Sequence, residues 1–91
     1  MSTAFKLKES TMSLRGQDVR VRELSHGEVR WFANQPDKGL ASDKLISMGT
    51  IDPAIAVEDV PSLPSDVSTA LLKEIMRLSG WGADEKEPNA G

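Results

Sequence analysis

The sequence predicts a mainly α fold: a small domain of about three helices, a short N-terminal β-strand or hairpin element, and a disordered C-terminal tail. Three stretches carry that prediction. In residues 62–81, Val67, Leu71, Ile75 and Leu78 recur at steps of four, four and three and so share one helix face. In residues 24–29, Ser25 and Glu28 have the spacing of a capping box, with Leu24 and Val29 placed as its hydrophobic staple. In residues 19–22, Val-Arg-Val-Arg alternates strictly, as a half-buried strand does.

Taken from the N-terminus, residues 4–8 (AFKLK) alternate weakly and residues 10–18 (STMSLRGQD) are turn-rich. A hairpin of 4–8 with 18–23 across a long loop is the pairing this suggests. Such a two-stranded unit is marginal alone and needs helices or a second subunit behind it. Arg20 and Arg22 share its exposed face, as a solvated surface or as a rim for an acidic partner. The capping box starts a helix at His26 that runs to about Ala33 or Asn34. Val29 and Phe32 point the same way, with Trp31 to one side. Pro36 and Gly39 break this helix. A second helix follows from Lys38 or Leu40 to Met48 on the spacing of Ala41, Leu45 and Met48, and Gly49 ends it. Residues 50–55 read as a bend, because the residue before Pro53 avoids helical geometry. Residues 56–60 read as one helical turn stopped by Pro61.

The main helix opens at Pro64, whose missing N–H is not needed in a first turn. Asp66 lies near its positive end and Lys73 and Arg77 lie toward its negative end. Leu72 and Met76 widen the apolar face. Gly80 supplies the left-handed residue that closes a helix, and Trp81 is placed to fold back on Met76. Residues 1–81 therefore form one domain, and the polar 82–91 (GADEKEPNAG) a disordered tail.

Composition bounds the function. A chain of 91 residues with 38% hydrophobic content makes one small core, and self-association is a common remedy for so thin a margin. There is no cysteine, so disulfides, zinc–thiolate sites and thiol chemistry are excluded. No apolar run approaches the ~20 residues of a membrane span. The net charge of −3 divides into +2 over residues 1–30 and −5 over residues 31–91, a poor profile for holding nucleic acid. The glycines follow no phosphate-loop fingerprint. His26, the single histidine, sits in a helix first turn without the partners that catalysis or metal binding requires. Neither the Glu58-Asp59 nor the Asp84-Glu85 pair lies where a pocket would shift a carboxylate pKa. The expectation is a non-enzyme with no cofactor, no catalytic residue and no metal site. Candidate partner-binding residues are Arg20, Arg22, Trp31, Phe32, Met48, Met76 and Trp81, the aromatics and methionines because such side chains dominate adaptable interfaces, although in a chain with four aromatics Trp31 and Phe32 fit the core first.

The order of motifs resembles a known family. Val19-Arg20-Val21-Arg22-Glu23-Leu24-Ser25 is followed by a short aromatic-bearing helix, then Leu45-Ile46, Ile51-Asp52-Pro53, the acidic turn Glu58-Asp59-Val60, Leu63-Pro64 and finally Leu78-Ser79-Gly80-Trp81. This series, over roughly residues 4–82, is similar to the tail assembly chaperones of long-tailed, siphovirus-type bacteriophages. It departs from many of them where Pro36 to Gly39 interrupt the middle helix. The resemblance implies a chaperone that coats the tape measure protein, keeps it soluble and helps recruit tail tube subunits in the host cytoplasm. It also implies a homo-oligomer, a longer frameshifted product, and absence from the mature virion. The alternative is a small helical DNA-binding or regulatory module built around Arg20, Arg22 and Arg30, against which the acidic second half counts.

Overall fold

The computed structural model describes residues 5–81, and the tail expected over 82–91 lies outside them. Its centre is a three-stranded antiparallel sheet in the order β1 (Glu9–Leu14), β2 (Gln17–Arg22), β3 (Thr50–Asp52). Three α-helices accompany it: α1 (His26–Ala33), α2 (Lys38–Gly49) and α3 (Ser65–Leu78), with a 3-10 helix at Val57–Ser62 between β3 and α3. The fold is thus a mixture of α and β, which corrects the mainly α expectation.

Two strands account for the correction. β1 is residues Glu9–Leu14 and not 4–8, and it pairs with β2 from Glu9↔Arg22 to Leu14↔Gln17. The loop between them is two residues, Arg15 and Gly16, with φ of +53° and +82°. Positive φ at both central positions is the twist-matched hairpin geometry, and Gly16 adopts it without a Cβ penalty. Ser10, Thr11 and Ser13 therefore belong to a strand, in which Met12 and Leu14 reach toward the core. β3 replaces the expected bend: Thr50 pairs with Val21 and Asp52 with Arg20, with an irregularity between. Three residues are too few to show a period in sequence.

The core joins both layers. Val19 and Val21 of β2 and Leu24 beyond it meet Leu45 and Ile46 of α2, Val60 of the 3-10 helix, and Leu71, Ile75 and Leu78 of α3. The helical face of α3 is the one its spacing predicts, with Val67, Leu72 and Met76 half-buried around it. Gly80 has a φ of +102°, the left-handed closure expected there. Trp81 packs on Phe32, ring centroids 5.5 Å apart and planes tilted by 58°. Gly49 is the last residue of α2, but its φ is not positive. A Cβ there would stand 2.5 Å from Cδ1 of Ile75, so the glycine serves the close approach of α3. The 3-10 helix runs through Pro61 instead of stopping before it.

Two polar clusters fix how the elements meet. At the start of α1 the capping box is complete, with Ser25 N–H donating to Glu28 Oε1 at 2.8 Å and Glu28 N–H donating to Ser25 Oγ at 3.3 Å. The same Glu28 carboxylate takes both terminal nitrogens of Arg22 at 2.9 Å, which ties the end of β2 to the start of α1. Elsewhere Ser79 Oγ accepts the N–H of Leu24 at 2.9 Å and donates to the carbonyl of Ile75 at 2.7 Å. Ser79 thereby joins stretches 55 residues apart, the one leaving β2 and the one closing α3.

Candidate functional site

The feature that stands apart from the core is an apolar groove between the α1–α2 loop, α2 and the 3-10 helix. Its volume is about 460 Å³. Its apolar lining comes from Trp31 and Pro36, from Leu40 and Ala41 of α2, and from Val57 and Pro61 of the 3-10 helix. Leu40 is 68% exposed and Val57 36% exposed, although both are apolar.

Local chemistry builds this groove. Asp37 caps α2, its Oδ1 accepting from the N–H of Gly39 at 3.0 Å and of Leu40 at 3.1 Å. Lys38 caps the other side of the loop. Its Nζ donates to the carbonyls of Phe32 and Gln35 at 2.8 Å and of Ala33 at 3.2 Å, and lies 5.0 Å from the Phe32 ring centroid. These contacts satisfy the free carbonyls at the end of α1 and fix the loop. Gln35 Nε2 donates to the Trp31 carbonyl at 3.1 Å, joining two of the lining residues. Ser47 Oγ donates to the Ile55 carbonyl at 2.7 Å and anchors the chain that leads into the 3-10 helix.

The residues expected to meet partners fall in different places. Phe32 and Trp81 come together on the core side, while Met48 and Met76 are half-buried against the same core. Trp31, next to Phe32 in sequence, faces the groove instead and stands outside that core cluster. Arg22 is half-buried in its pair with Glu28, and Arg20 Nε lies 3.4 Å from Glu9 on the exposed face. Arg30 donates to Nε2 of His26 at 2.9 Å. Leu40 and Val57 escaped the sequence reading. Leu40 carried a signal, because it falls off the face shared by Ala41, Leu45 and Met48. Val57 carried none, since a single valine beside two acids is ordinary on a turn.

The electrostatics describe a scaffold. The Arg22 guanidinium and the Ser25 N–H hold the Glu28 carboxyl down from 4.5 to about 2. Arg15 holds Asp66 below its ordinary value, and Arg77 does the same to Glu74. Each shift comes from a pair that joins or stiffens secondary structure, and none of these acids lines the groove. Among the described residues no group of three or more His, Asp or Glu side chains could hold a metal ion. Among them, too, no helix is long and apolar enough to cross a membrane.

Comparison with known proteins adds one similarity. Over 74 residues the chain is 34% identical to the bifunctional glutamine synthetase adenylyltransferase/adenylyl-removing enzyme of Streptomyces avermitilis. The match covers 78% of this chain and 7% of that protein, so the chain spans a small fraction of the length of the relative it matches. No family model matches the chain, and no solved structure matches it significantly.

Proposed function

We propose that this chain is a non-catalytic protein-binding domain that works as a phage tail assembly chaperone. In this reading it binds the tape measure protein in the host cytoplasm, keeps it soluble and helps recruit tail tube subunits. The observation that carries the reading is the groove, where an indole, a leucine and a valine stand outside the core cluster and line one accessible apolar surface. Accessible apolar clusters of this kind mark partner sites. The motif series supports it as well. Its two most distinctive stretches, Val19–Leu24 and Leu78–Gly80, are hydrogen-bonded to each other through Ser79, so they act as one structural unit. The arginines that a DNA-binding module would use are engaged by Glu9, Glu28 and His26, which weighs against that alternative.

The test is co-expression with the tape measure protein encoded beside it. The soluble fraction of the client rises when this chain is present. No rise at matched expression would remove the chaperone reading.

A further inference from the structure

Charged residues are among those that border the apolar surface of the groove. Asp43 of α2 and Glu58 of the 3-10 helix are both among its lining residues, and neither makes an ion pair among the described residues. Asp37 adds a third acidic residue to the lining. Its Oδ1 is occupied by backbone N–H groups. Lys44 is the one cation among the lining residues. An apolar groove with three acidic residues and one lysine among those that line it favours an occupant that buries aliphatic side chains and carries positive charge beside them. A volume of about 460 Å³ has room for a few such side chains.

We infer that the groove binds an amphipathic helical segment of another protein, with aliphatic side chains seated between Trp31, Leu40 and Val57 and Lys or Arg residues meeting Asp43 and Glu58. This deepens the chaperone reading by naming the surface and the chemistry of the segment it takes. The like-charged counterpart, a segment flanked by acids, is repelled by the same residues. Leu40 is the residue to change, because its side chain lies largely in solvent and contributes nothing to the core.

The experiment follows the two indole N–H signals, from Trp31 and Trp81, in a proton–nitrogen correlation spectrum, assigned with Trp31→Phe. The probe is a synthetic helical peptide with leucines at i, i+3, i+4 and i+7 and lysines on both flanks. A second peptide replaces each lysine by glutamate. The lysine peptide moves the Trp31 signal to saturation, and the glutamate peptide binds roughly tenfold or more weakly. Leu40→Asp abolishes the shift while the remaining spectrum stays that of the folded protein. Asp43→Asn with Glu58→Gln reduces the discrimination between the two peptides. Equal binding of both peptides overturns the inference. So does binding that survives Leu40→Asp, or a response confined to Trp81. A Trp31 shift that grows with protein concentration alone, and is lost in Leu40→Asp, assigns the groove to a second copy and also overturns it. The two proposals fail separately. Peptide binding without any gain in tape measure solubility removes the chaperone and leaves the groove. Client rescue by Leu40→Asp equal to that of the parent protein does the reverse.

Discussion

Gly49→Ala tests the tightest contact in the fold. A methyl at this position would lie 2.5, 2.8 and 2.9 Å from Cδ1, Cγ1 and Cγ2 of Ile75. Unstrained carbon pairs sit at about 3.5–4.0 Å, so all three contacts overlap by roughly 1 Å. Ile75 has no easy escape. It is fully buried, it is stiff at χ1, and both of its γ carbons already face the added methyl. Alanine in place of glycine in a helix ordinarily gains ~0.5–1 kcal/mol. Overpacking a filled core costs ~1–3 kcal/mol, so the clash outweighs the gain. The expected result is a net loss of ~1–2 kcal/mol, or ~5–15 °C in Tm for a domain of this size.

A double-mutant cycle isolates the cause. Ile75→Ala alone leaves a cavity and costs ~2–5 kcal/mol. In that background Gly49→Ala becomes neutral or stabilising, because its methyl enters vacated space, giving a coupling of ~1–2 kcal/mol. Ile75→Val, which removes only Cδ1, gives partial relief and serves if the alanine variant is too unstable to study. Urea unfolding, read as a change in midpoint at constant slope, supplies the energies. A Gly49→Ala protein as stable as the parent, or strict additivity in the cycle, would refute the close approach of α2 and α3.

Three further predictions follow from polar contacts. The Glu28 carboxyl titrates at about 2 in the fold against 4.5 ordinarily, so its contribution is fully present above about pH 4.5 and is lost as pH falls toward 2. Glu28→Gln keeps a capping side chain but loses the charge pair with Arg22. It should cost ~1 kcal/mol at neutral pH, a figure discounted for partial solvent screening, and urea midpoints should show a flatter decline of stability between about pH 4.5 and 2 than the parent. Ser79→Ala strips the partner from the N–H of Leu24, a residue only 4% exposed, and should lower stability by ~1–3 kcal/mol with faster amide exchange at Leu24. Arg15→Gly should raise Tm, because the turn holds Arg15 at a φ of +53° while its pair with Asp66 is exposed and screened. A salt-sensitive fall in Tm would show that the ion pair outweighs the backbone strain.

Local signals account for the parts of the fold that were legible in advance. The capping box at Ser25 and Glu28, the start of α1 at His26, the buried face of α3 and the closure at Gly80 appear as their spacing predicts. All of them depend on atoms within a turn or two along the chain, so residue type at fixed offsets is enough. The groove was legible in part. Trp31 was singled out beside Phe32, but adjacent aromatics on a helix point in different directions, and only packing sends Phe32 to Trp81 and Trp31 outward.

By itself the sequence determined where α1 begins, which side of α3 is apolar, and that thiol chemistry is excluded, because each follows from composition or short-range periodicity. Tertiary structure alone decided that Ser10, Thr11 and Ser13 form a strand, that Thr50–Asp52 extends the sheet, and that Gly49 answers to Ile75. It also decided that Leu40 and Val57, 17 positions apart in the sequence, border one groove. Strand pairing, close helix approach and a shared cavity join residues distant along the chain. No local pattern records which distant residue the other partner will be.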